Sequence, residues 1–197
     1  MKEYDYNEFN VDFSEYEQQE NDQKYKVYLA YKIAKKAHKG QMRDEGTEYI
    51  SHPIAVSKRL TNPDEIIIAL LHDTLEDTDV TYEEIKKEFG IAIADKIQLL
   101  THKKGISYSD YLKLVCTDLI ALKIKMLDRI HNVSSLKNCP NPIKVQRYID
   151  ETETVFLPII DTHLSELNNP HYDDLFAELE KEVQNVKQQI EEIGNIL

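Results

Sequence analysis

The stretch LLHDTLEDTDVT places His72 and Asp73 side by side, with Glu76 and Asp77 one turn further on. On a helix His72 and Glu76 stand four apart, Asp73 and Glu76 three apart, and Asp73 and Asp77 four apart. All are same-face spacings. The apolar run IIIALL just before them predicts burial. A buried carboxylate or imidazole needs a partner, and a divalent cation is one good solution. Two further donors are candidates. His52 ends a loop and is held by the stiff Pro53 that follows it. Asp128 sits at the polar end of another apolar run, in ALKIKMLDRIHNV. His52, His72, Asp73 and Asp128 make a mixed nitrogen and oxygen set. It suits Mn²⁺, or Fe²⁺, with positions left open for water, and Zn²⁺ is compatible. Singly, each residue is weak evidence: an HD dipeptide arises often by chance, and Asp128 could simply pair with Arg129. The combination carries the weight.

These residues need elements to hold them. Glycine and proline are scarce, apolar residues recur at helical spacing, and no stretch alternates convincingly as a strand. The expected fold class is all-α, a single-domain helical bundle. A first helix is expected over 24–39, with Tyr28, Tyr31 and Ala34 on its apolar side and Gly40 ending it. The loop QMRDEGTEYISHP follows, and a short helix begins at Pro53. A buried helix is expected from Pro63 to Asp77. Thr81–Glu84 reads as a capping box that starts a helix ending at Gly90. Further helices are expected over 91–101, from the Ser107 region to about Leu136, over 142–165 with a kink or interruption at Pro158, and over 172–194. In the last, Leu175, Leu179, Val183, Val186, Ile190, Ile193 and Leu197 form a heptad-like seam. It packs either on its own domain or in a homo-oligomer contact.

Charge limits the partners. The net charge is −12. Residues 1–23 carry eight acids and one lysine, and residues 166–197 eight acids and two lysines, leaving the middle near +1. This disfavours binding to duplex nucleic acid. No run approaches the roughly 20 apolar residues of a membrane span. The acidic, aromatic start is no signal peptide. Cys116 and Cys139 have no metal-ligand spacing and make no disulfide framework. The expectation is a reduced, cytoplasmic protein. Its parts are an acidic arm over 1–23, a catalytic domain over 24–165 and a C-terminal helix over 166–197.

The motifs together resemble a known family. HDTLEDT is similar to the HD-x-x-ED motif of the RelA/SpoT-type alarmone hydrolases, a branch of the HD-domain phosphohydrolases. AHKGQMRDEGTEYISHP resembles their A-H-x-G-Q-x-R-x-x-G-x-x-Y-x-x-H-P signature, KMLDRIHNV their K-L-A-D-R-L-H-N-M, and ETETVFLPI their E-T-x-x-x-Y-x-P-L. The likeness spans about residues 30–160. It implies an HD-domain bundle that removes the 3′-diphosphate from guanosine tetra- or pentaphosphate. It also implies Mn²⁺ on His52, His72, Asp73 and Asp128, and an acidic pair, Glu76 and Asp77, that handles the attacking water and nearby protons. Arg43 is expected against the base and phosphates, Asn132 and Ser135 against the nucleoside, and Arg129 against a phosphate. With no second domain in the sequence, a small hydrolase-only member is expected.

Three departures leave alternatives open. Asp44 stands where the family often has lysine, DLIAL replaces D-x-R-V, and VSSL replaces MRTL, so that Ser135 takes the place of threonine. Hydrolysis of another nucleotide, as by a nucleotidase or an NADPH phosphatase, is one alternative. A non-enzymatic nucleotide sensor or interaction module is another.

Overall fold

Val27, Ala30, Tyr31 and Ala34 recur at helical spacing and form the buried side of α1 (Gln23–Ala37). Tyr28, expected on that side, lies off it and is half-exposed. In the computed structural model, residues 23–167 and 169–194 are described. The expected acidic arm therefore lies outside them, except for Gln23. Among the described residues every regular element is helical. No helix among them is long and apolar enough to cross a membrane. The described residues divide into two units, one within 23–41 and 48–101, the other within 42–47 and 102–194.

In the first unit, α2 (Ser51–Ser57), α3 (Pro63–Leu71), α4 (Thr74–Asp77), α5 (Tyr82–Phe89) and α6 (Ile91–Leu100) follow α1. The centre is α3, against which α1, α2 and α6 pack. Pro63 starts it, and the Asn62 side chain accepts from the backbone N–H groups of Asp64 and Glu65. Six successive residues, Ile66 to Leu71, are buried. A helix apolar all round its circumference is stable only when surrounded. The expected single helix from Pro63 to Asp77 is instead two. The break falls at His72 and Asp73, and Thr74 Oγ1 donates to Leu71 O at 2.7 Å, satisfying a carbonyl at the end of α3. The capping box at Thr81 and Glu84 forms as expected.

The second unit holds α7 (Tyr108–Val115), α8 (Leu119–Ser135), α9 (Pro142–Glu151), α10 (Leu157–Leu167) and α11 (Pro170–Gly194). The long helix expected up to Leu136 is split at Cys116–Asp118. Asp118 caps α8 by accepting from the N–H groups of Ile120 and Ala121. A π-helical stretch, Thr152–Phe156, joins α9 to α10. The interruption thus precedes Pro158, whose ring would crowd the carbonyl of Thr154 in a regular helix. Leu175, Leu179, Val183 and Val186 are buried, and α11 packs on α8 and α10. The side chains of Ile193 and Leu197 fall outside the described set.

Candidate functional site

In the first unit, the break after α3 turns His72 and Asp73 towards His52 of α2. His52 and His72 are 1% and 2% exposed, and their rings meet edge to face at 5.2 Å. His72 Nδ1 lies 2.7 Å from Ala69 O. A carbonyl only accepts, so Nδ1 carries a proton, and in the neutral ring that leaves a lone pair at Nε2. That Nε2 is 3.1 Å from Asp73 Oδ2, and His52 Nε2 is 3.6 Å from the same oxygen. Electron-pair donors this close in a buried setting call for positive charge, either a proton on a ring or a bound cation. The fixed tautomer of His72 is the form a metal ligand takes, with the other nitrogen held by a carbonyl. The donor set fits a divalent ion.

Tyr49 organises the carboxylates. Its hydroxyl lies 2.7 Å from Asp73 Oδ2 and 3.3 Å from Asp77 Oδ2. Its ring stacks on His38 with centroids 4.6 Å apart. His38 Nδ1 lies 2.7 Å from Gln41 Oε1, and Gln41 Nε2 donates to Asp77 O at 2.9 Å. Burial, and then the charge of Asp73, push the Asp77 carboxyl above the ordinary aspartate range. Glu76 is exposed on α4. Gln41 and Tyr49 were not singled out from the sequence, although both are fixed positions of the signature quoted above.

In the second unit, Asp128 on α8 is 4% exposed. It accepts from Lys125 Nζ at 2.8 Å and from Asn132 Nδ2 at 2.6 Å. Burial works against the charge on Lys125, but Asp128, Tyr111 and Tyr108 together outweigh it and hold the ammonium pKa well above its usual value. Arg43 reaches the same helix: Nη2 donates to Asn132 Oδ1 at 3.1 Å and to Ser135 Oγ at 2.8 Å. Its Nε donates to Glu45 at 2.7 Å. Three of the expected nucleotide contacts, Arg43, Asn132 and Ser135, thus form one cluster. Asp44, the charge reversal beside Arg43, pairs with Lys144.

Arg129, expected against a phosphate, is enclosed in the second unit. It is 2% exposed, and Nη1 donates to Glu151 and Thr152, each at 3.1 Å. Nη2 donates to Tyr108, and the guanidinium lies 4.4 Å from the Tyr148 ring centroid and 4.9 Å from that of Phe156. A guanidinium enclosed this way braces the second unit.

Comparison with known proteins adds ancestry. A family described as "HD domain" matches residues 30–162. A guanosine-3′,5′-bis(diphosphate) 3′-pyrophosphohydrolase of Aquifex aeolicus is 40% identical over 122 residues, covering 56% of this chain and 18% of the relative. The bifunctional (p)ppGpp synthase/hydrolase SpoT of Escherichia coli is 31% identical over 169 residues, covering 74% of this chain and 24% of the relative. The chain therefore spans about a fifth to a quarter of the length of these curated relatives. A solved structure is described as a metazoan ortholog of SpoT that hydrolyses ppGpp and plays a role in starvation responses. It matches with a TM-score of 0.63 at 22% identity, covering 83% of this chain and 94% of that one. At that identity the likeness speaks for the fold.

Proposed function

The chain belongs to the HD-domain family, and on that footing we propose that it is a metal-dependent phosphohydrolase that releases pyrophosphate from the 3′ position of guanosine tetra- or pentaphosphate. The observation that carries the reading is the convergence of His52 and His72 on one oxygen of Asp73, with His72 held in the ligand tautomer. The names of the relatives from Aquifex aeolicus and Escherichia coli supply the substrate.

The proposed ligands are His52, His72, Asp73 and Asp128, each offering an imidazole nitrogen or a carboxylate oxygen. Mn²⁺ is the proposed ion, with Fe²⁺ and Zn²⁺ compatible with the same donors. A divalent ion held there supplies Lewis acidity to a phosphoryl oxygen and lowers the pKa of water. The remaining work falls to the chain. Glu76, exposed at the end of α4, orients the attacking water. Asp77, whose carboxyl is pushed above the ordinary aspartate range by burial and then by Asp73, carries a proton. The reaction adds the hydroxyl of water to phosphorus and returns a proton to the ribose 3′-oxygen as the P–O bond breaks. Arg43, Asn132 and Ser135 bind the nucleotide. Since Arg43 is already oriented by Asn132 and Ser135, little side-chain ordering is left to substrate binding.

The test is release of pyrophosphate from guanosine tetraphosphate, with Mn²⁺ and with chelator. Mn²⁺-dependent pyrophosphate is expected. Release of orthophosphate alone, or turnover only of other nucleotides in a panel, would overturn the substrate assignment. Binding of the nucleotide without hydrolysis in added Mn²⁺, Fe²⁺ or Zn²⁺ would leave a sensor in place of an enzyme.

A further inference from the structure

Lys125, Asp128, Asn132 and Ser135 follow one another along α8 at the three- and four-residue steps that share a helix face. Both oxygens of Asp128 are held within this row. Lys125 Nζ donates to Oδ2 at 2.8 Å, and Asn132 Nδ2 donates to Oδ1 at 2.6 Å. Arg43 joins the row from the turn over 42–47. There its backbone N–H donates to Thr47 O at 2.9 Å, and its carbonyl accepts from the Gly46 N–H at 3.0 Å. Gly46 takes the positive φ of 84° that this turn requires. The turn anchors the backbone of Arg43, and Asn132 Oδ1 and Ser135 Oγ both accept from its Nη2.

The chemistry of the groups fixes their order. Lysine and arginine only donate, an ionised carboxylate only accepts, and an amide does both. Asn132 therefore joins the acceptor Asp128 to the donor Arg43. Its oxygen faces the guanidinium and its NH₂ faces the carboxylate. Asp128 is 4% exposed, so water competes little for these bonds. A hydrogen bond to an ionised group is about twice as strong as a neutral one.

We infer that Asn132 is a positioning residue for Asp128. Its amide, held by Arg43, fixes the Asp128 carboxylate as a metal ligand, and a change at Arg43 reaches the metal through Asn132. This rests on the reading of Asp128 as a ligand and goes beyond the nucleotide contact proposed for Asn132.

Calorimetric titration of Mn²⁺ into the full chain and its variants, with no nucleotide present, tests it. Asn132→Ala is expected to weaken Mn²⁺ binding about 10–100-fold, the range for a group that orients a ligand. Alanine favours the helix, so α8 is expected to stay folded. Arg43→Ala is the sharper variant. Loss of a neighbouring positive charge by itself tightens cation binding. Loss of the brace weakens it, by at least ~twofold as for coupled neighbours. In the Asn132→Ala background, Arg43→Ala is expected to weaken binding no further. Unchanged affinity in Asn132→Ala would overturn the inference. So would unchanged or tighter binding in Arg43→Ala, or an equal loss in both backgrounds.

A second readout needs no metal. The side-chain NH₂ resonance of Asn132 is assigned by its loss in Asn132→Ala. Its hydrogens are expected to exchange at least ~tenfold more slowly than those of exposed asparagines, as for a bond to a charged group. That protection is expected to be lost in Arg43→Ala. A chain that binds no Mn²⁺ but shows this pattern would keep Asn132 as the brace of Asp128 and remove the metal from the proposed function. Fast exchange in the parent, or protection that survives Arg43→Ala, would overturn the inference whatever the metal titration shows.

Discussion

The Tyr49 hydroxyl and Asp73 Oδ2 are 2.7 Å apart, and that oxygen is the one on which the nitrogens of His52 and His72 converge. The phenol therefore fixes the carboxylate that the two imidazoles share. Tyr49→Phe keeps the ring stacked on His38 and removes the hydroxyl's bonds to Asp73 and Asp77. Groups that orient a metal ligand are typically worth 10–100-fold in metal affinity. Titration of Mn²⁺ into the Tyr49→Phe protein is expected to show a loss in that range, about 10–100-fold. The thermal midpoint without metal should barely move. Unchanged metal affinity would remove Tyr49 from the site.

Glu76 and Asp77 separate chemistry from metal holding. Glu76→Gln and Asp77→Asn are each expected to bind Mn²⁺ as the parent does and to slow pyrophosphate release by about 10²–10⁴-fold, the range for a lost acid or base. His72→Ala is expected to lose metal and activity together. Parallel calorimetry and single-turnover assays distinguish the two patterns. A Glu76→Gln protein with full turnover would strip that residue of its role.

Much of the site was legible because its motifs are local and ordered. His72, Asp73, Glu76 and Asp77 lie within six residues, and a short polar cluster after a buried helix reads as chemistry. The break inside that cluster was not legible, since it is made by the Thr74 hydroxyl bonding back to Leu71, which helical periodicity does not register. Tyr49 was passed over because its partners Asp73 and Asp77 are 24 and 28 residues away, and only the packing of α2 and α3 brings them together. The enclosure of Arg129 was not legible for the same reason. Its charge and its place beside Asp128 suggested a phosphate contact. The residues that enclose it, Tyr108, Tyr148, Glu151 and Phe156, come from α7, α9 and the π-helical stretch.

If Arg129 braces the second unit, Arg129→Leu should act on stability. Removing one partner of a fully buried ion pair costs about 3–5 kcal/mol. Glu151 is 42% exposed and regains water, so about 2–3 kcal/mol is the better expectation here, including hydrogen bonds lost to Thr152 and Tyr108. For a chain of this size that is roughly a 4–12 °C lower thermal midpoint. Calorimetry measures it. The KM for nucleotide should stay within about twofold, in contrast to Arg43→Ala, which is expected to raise KM because it removes uniform binding. A large KM effect with no loss of stability in Arg129→Leu would restore the phosphate role.

Cys116 and Cys139 are both free thiols, in different surroundings. Cys116 is 6% exposed, and burial pushes its thiol up to about 11. In the native protein at pH 8, a thiol-disulfide reagent such as DTNB is expected to titrate the half-exposed Cys139 promptly and Cys116 only after unfolding, because the thiolate is the nucleophile. The same shift sets a pH dependence of stability. The unfolded thiol ionises near ~8.5, so between about pH 8.5 and 11 the unfolded chain has lost a proton that the folded chain keeps. Unfolding becomes more favourable as pH rises through that window and is unaffected by this group below it. Urea midpoints from pH 7 to 10.5 should therefore fall more steeply in the parent than in Cys116→Ala. Below pH 8 the two curves should run parallel, offset only by the packing change. Parallel curves throughout, or prompt labelling of both thiols in the native state, would show that Cys116 is not sealed in the second unit.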